Sequence, residues 1–118
     1  MPARNIIKEY GANQYYHVYS RGVAKQVVFL DEYDYAYFLS LLKRYLSAKP
    51  EKSKRHGIYP YFGNRVHLLS YCLMPNHIHM LLFQSDEKGM TEFLRALMTS
   101  YGMYFNHKYK RVGPVFQS

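Results

Sequence analysis

Met74-Pro75-Asn76-His77-Ile78-His79-Met80-Leu81-Leu82 reads as a tight turn running into a β-strand. Proline presets its own backbone angle and asparagine bonds its neighbouring backbone, so Pro75-Asn76 is turn chemistry. From His77 onward, histidines alternate with apolar residues. Side chains of a strand point alternately to opposite faces. His77 and His79 therefore share one face, while Ile78, Met80 and Leu82 share the other. The apolar face suits a core. The histidine face presents two imidazoles about 7 Å apart along the strand. Two neutral imidazoles there can hold one divalent metal, provided a third ligand arrives from elsewhere.

Working outward, Arg65 to Leu73 is a second strand with a nearly continuous apolar pattern from Val66, Leu68, Leu69, Tyr71 and Leu73. The short connection makes the two strands an antiparallel hairpin. Cys72 lies within this apolar run and is expected to be a small core residue. Upstream, Tyr15 to Arg21 is strand-like, rich in aromatic and β-branched residues, and ends at Gly22. Tyr15, His17, Tyr19 and Arg21 fall on one face of it. Asp31 is a helix N-cap, and Glu32 and Asp34 place negative charge at the positive end of the helix dipole. Tyr35, Phe38, Leu39, Leu42, Tyr45 and Leu46 then recur at helical spacing, predicting a helix that ends near Ser47. Lys49 to Asn64, carrying Pro50, Gly57, Pro60 and Gly63, is expected to be a loop. Thr91 to about Lys108 is a second helix. Gly113-Pro114 breaks the chain, and Val115-Phe116 opens a last strand.

The element order is β, α, β, β, α, β. It predicts an α+β fold of the ferredoxin-like, split βαβ type, with an antiparallel sheet carrying two helices on one face. The apolar side of the His77 strand fits the helix layer. His77 and His79 then point to the open face, and His17, Tyr19 and Arg21 are candidate nucleic-acid contacts that would join them if the strand pairing sets their face of the first strand on the same side.

A chain of 118 residues is expected to form one domain. Lys and Arg number 16 against 8 acids, a formal charge of +8. That balance favours a polyanionic partner, most simply nucleic acid. The chain has 14 Tyr and 7 Phe but no Trp, and rings among cations suit the stacking of unpaired bases. Arg55, Lys110 and Arg111 are further candidate nucleic-acid contacts. A single cysteine excludes an internal disulfide and a cysteine zinc cluster. Met1 to Tyr10 is polar and charged, and no apolar run is long enough to span a bilayer. A cytoplasmic protein without membrane contact is expected.

Tyr71-Cys72-Leu73-Met74-Pro75-Asn76-His77-Ile78-His79-Met80-Leu81-Leu82 resembles the signature of the single-tyrosine HUH transposases, most closely their REP-associated branch. Tyr16 to Gly22, Tyr104-Phe105-Asn106 and Gly113-Pro114-Val115-Phe116 are similar to that branch as well. The resemblance implies that His77 and His79 are the HUH pair, catalytic residues that bind Mg²⁺ or Mn²⁺. It implies cleavage and rejoining of single-stranded or hairpin DNA through a 5′-phosphotyrosine intermediate, often by a homodimer. In that family the nucleophilic tyrosine lies on a helix beyond the segment matching Gly113 to Phe116. No such motif stands in residues 1–118, so the resemblance implies a single HUH-like domain without its nucleophile helix. The alternative expectation is a non-catalytic nucleic-acid-binding module, or a truncated remnant of such an enzyme. Tyr101 and Tyr104 are expected to pack against the covered face of the sheet.

Overall fold

The computed structural model describes residues 10–47, 49, 52, 53 and 57–117. Its elements are β1 (Gln14–Arg21), α1 (Glu32–Leu46), β2 (Lys52–Ser53), β3 (Gly57–Ile58), β4 (Val66–Met74), β5 (His77–Gln84) and α2 (Gly89–Tyr109). The main sheet has the order β1-β5-β4, with both pairings antiparallel. The histidine strand β5 is thus central. Beyond α2, Phe116 forms an antiparallel bridge with Gly22, and the Gln117 amide donates to the Arg21 carbonyl at 2.8 Å. This stretch starts a fourth row beside β1, where the split βαβ arrangement places its last strand. The architecture is the expected α+β one.

Local chemistry accounts for the elements. Asp31 is extended at the N-cap of α1, and its carboxylate accepts the Asp34 amide at 3.0 Å. That satisfies one of the donors left free at a helix start. The turn between β4 and β5 consists of Pro75 and Asn76 alone. Along β5, half-buried and buried residues alternate without a break. Ile78, Met80 and Leu82 are fully buried, as are Phe38 and Leu41 of α1 and Phe93, Leu97 and Tyr101 of α2. Burying each such β5 side chain stabilises the fold by about 1.5–3 kcal/mol. Strand β5 is therefore held rigidly by one face, which leaves the other face free to carry a site.

The helices are also clamped by a polar network. Asp34 of α1 is buried and accepts from Lys108 Nζ at 2.8 Å, Tyr104 Oη at 2.7 Å and Tyr109 Oη at 2.6 Å, all from α2. A buried carboxylate is tolerated only when hydrogen-bonded and paired in this way.

Two expectations need correction. The segment 49–64 is not loop throughout, because Lys52 pairs with Ile58 and Ser53 with Gly57 in a small antiparallel ladder. Strands of two residues leave no periodicity to read. Cys72 is exposed rather than core. The pairing of β4 with β5 shifts between Leu68 and Ser70, and a bulge of one residue turns the following side chains to the other face. Val66 and Leu68 pair with Gln84 and Leu82 on the helix side. After the bulge, Ser70, Cys72 and Met74 pair with Leu81, His79 and His77 on the open side. Arg55 lies outside the described residues. No helix among the described residues is long and apolar enough to cross a membrane.

Candidate metal and nucleic-acid site

The open face is built from four rows of three residues, one from each strand, fixed by the register. The first row is Arg21, His77 and Met74, and the second is Tyr19, His79 and Cys72. The third is His17, Leu81 and Ser70, and the fourth is Tyr15, Phe83 and His67. Three of the sequence candidates, His17, Tyr19 and Arg21, thus join the histidine pair.

The rings interlock. His77 and His79 meet edge to face with centroids 5.1 Å apart. Tyr19 packs on both, at 5.5 Å from His77 and 4.9 Å from His79. His17 stacks on His79 at 5.1 Å with an interplanar angle of 11°. Its Nε2 lies 3.1 Å from His79 Nδ1, so one imidazole donates to the other. A small cavity of about 140 Å³ opens between His17, Ser70, Cys72 and His79.

Tautomers follow from these bonds. Asn76 Oδ1 can only accept, so His77 Nδ1–H donates to it at 2.8 Å. His77 Nε2 is then the ring nitrogen left outside that bond. The pKa of His79 is lowered, first by lost hydration and then by repulsion from His17 and His77. The lowered pKa favours the neutral form of His79 that ligates metals, and the Asn76 bond leaves His77 Nε2 as the atom available to a metal. The donor set is partial, since no group of three His, Cys, Asp or Glu side chains able to hold a metal assembles among the described residues.

Arg21 has a partner beyond the rows, and the remaining candidates are placed elsewhere. Arg21 donates through Nε and Nη2 to Gln117 Oε1 at 3.3 and 3.2 Å, which leaves Nη1 outside that pair of bonds. Lys110 is exposed and caps α2 in the left-handed conformation, with φ 53°. Arg111 reaches back to Asn106 Oδ1 and to the Pro114 carbonyl, pinning the turn after α2. Asp86 and Glu92 are both engaged by Arg65, at 2.6 and 2.8 Å. Tyr101 is fully buried and donates to the Val28 carbonyl, and Tyr104 belongs to the Asp34 network. Sequence reading missed the role of Asn76, which looked like turn chemistry alone. It also missed the open-face position of Cys72, for which the adjacent apolar pair Leu68-Leu69, breaking the alternation, was the available signal.

No curated protein and no solved structure matches the chain. The family model described as IS200-like transposase matches residues 12–116, which takes in every described strand and helix. The chain therefore belongs to the IS200-like transposase family, which implies DNA transposition as its activity and DNA as its partner.

Proposed function

We propose that this domain cleaves and rejoins single-stranded or hairpin DNA, with His77 and His79 as metal ligands and a phosphotyrosine intermediate. Within the family we assign it to the REP-associated branch, on the Met74 to His79 signature. The observation that carries the reading is the pairing of two imidazoles on the open sheet face, one already oriented by Asn76.

His77 and His79 would hold Mg²⁺ or Mn²⁺, which when bound polarises a DNA phosphate as a Lewis acid. Nitrogen donors favour the transition ion of the two. Waters and substrate phosphate oxygens would supply further ligands beside the two imidazoles. Asn76 fixes the His77 ring, and the supporting stack of His17 fixes that of His79. Tyr19 covers both rings, and Arg21 offers a guanidinium beside them for a phosphate oxygen. Arg55, Lys110 and Arg111 are proposed to contact the DNA backbone further out. In the phosphotyrosine step a tyrosine hydroxyl oxygen would bond to phosphorus as the bond to the 3′ oxygen breaks, its proton passing to that oxygen, leaving a 5′-phosphotyrosine and a free 3′-hydroxyl.

A second reading, a non-catalytic DNA-binding module, is favoured by the missing third ligand among the described residues. Thermal melts with increasing Mn²⁺ test the first. At a hundredfold excess over Kd the gain is about 2.7 kcal/mol, a rise of several degrees. His77→Ala and His79→Ala should each remove it. An unchanged melting temperature in the parent chain, or an equal gain in both variants, rejects the metal site. DNA binding that is salt-sensitive, indifferent to chelation and free of any covalent adduct would then support the module.

A further inference from the structure

The fourth row of the open face, Tyr15, Phe83 and His67, consists of rings alone. Phe83 lies between the other two, with centroids 4.9 Å from Tyr15 and 6.1 Å from His67. Tyr15 is 63% exposed and His67 is exposed. Wet aromatic surface of this kind marks a place that a ligand covers.

Charge selects the ligand. None of the four rows contributes a carboxylate. Of the acids that follow β5, Asp86 and Glu92 are both bonded to Arg65, and Glu87 is exposed in the loop beyond the strand, outside the four rows. With a net charge of +8 on the chain, this face carries nothing to repel a phosphate backbone. Position points the same way. Phe83 follows His79 by four residues on one strand, about 13 Å by the strand rise. A few nucleotides of extended single strand cover that distance. The row between them offers only His17, the half-buried Leu81 and the small Ser70.

We propose that Tyr15, Phe83 and His67 form a stacking platform for unpaired bases of the DNA strand whose phosphate lies at His77 and His79. The inference rests on the DNA-processing reading above. Every base has a π face, so such a platform binds with little regard to sequence and is lost when the rings are removed.

The test uses the full chain and a DNA hairpin with a single-stranded flank, carrying 2-aminopurine at successive flank positions. Binding is followed by anisotropy and stacking by quenching of the 2-aminopurine. The parent chain should bind and quench at one or two adjacent positions. Tyr15→Leu and His67→Ala should each weaken binding, about tenfold for Tyr15→Leu, and reduce the quenching. Tyr15→Phe should preserve both. His67→Ala lies at the exposed edge and guards against a folding defect in the Tyr15 variants. If the parent binds but Tyr15→Leu and His67→Ala bind and quench as it does, the rings serve only the sheet and the platform is rejected. The DNA-processing reading would survive that result. If the parent chain binds no DNA, both fall together.

Discussion

Asp34 offers a stringent test of how the helix layer is held against β5. Burial raises its pKa, and hydrogen bonds from Lys108, Tyr104, Tyr109 and the Leu30 amide outweigh that, lowering it from 3.8 to about 2. Folding thus favours the ionised form. At about 1.4 kcal/mol per pH unit, this depression corresponds to about 2.5 kcal/mol of stability. The contribution is complete above about pH 5, drains as the pH falls through 3.8 towards 2, and is gone near pH 1. Asp34→Asn keeps the shape but cannot ionise. At pH 7 it should cost at least about 2 kcal/mol, or a fall in melting temperature of about 5–10 °C. Near pH 2 the difference from the parent should shrink by most of that amount. Urea unfolding of both proteins, followed by circular dichroism between pH 7 and pH 2, gives the difference directly. Asp86, also lowered to about 2, chiefly by its bond to Arg65, titrates in both proteins and cancels. A gap between parent and variant that stays constant with pH would refute the idea that Asp34 works as a charged clamp.

Asn76→Ala removes the acceptor that orients His77, and Mn²⁺ affinity measured by titration calorimetry should fall about 10- to 100-fold with the fold intact. Gly22→Ala should destabilise by about 1–3 kcal/mol in urea unfolding. A Cβ there would stand 2.3 Å from the Gln26 carbonyl oxygen and 2.9 Å from Val28 Cγ1.

Much of the fold was legible because its signals are local. Asp31 and the spacing from Tyr35 to Leu46 predict a helix ending near Ser47, and α1 spans Glu32–Leu46. The alternation from His77 onward predicts a half-buried strand, and β5 alternates throughout. The β2–β3 ladder was not legible, since each strand is too short to carry a period. Basic residues were poor guides as well. Lys108 is one of the 16 cations that favour a polyanionic partner, yet it is spent on Asp31 and Asp34, because charge in a sequence does not reveal which acid will lie beside it.

The His-x-His strand shows the division most clearly. The sequence by itself placed His77 and His79 on one face and Ile78, Met80 and Leu82 on the other, because the side-chain period of a strand is local geometry. What stands beside the histidines depended on register across strands, which only tertiary structure decides. Antiparallel pairing with β1 set Tyr19 opposite His79 and Arg21 opposite His77. The bulge in β4 turned Cys72 and Met74 out of the core to flank the same pair. One residue of slip inverts every side chain after it, so a change too small for composition or periodicity to record determines which groups share the site.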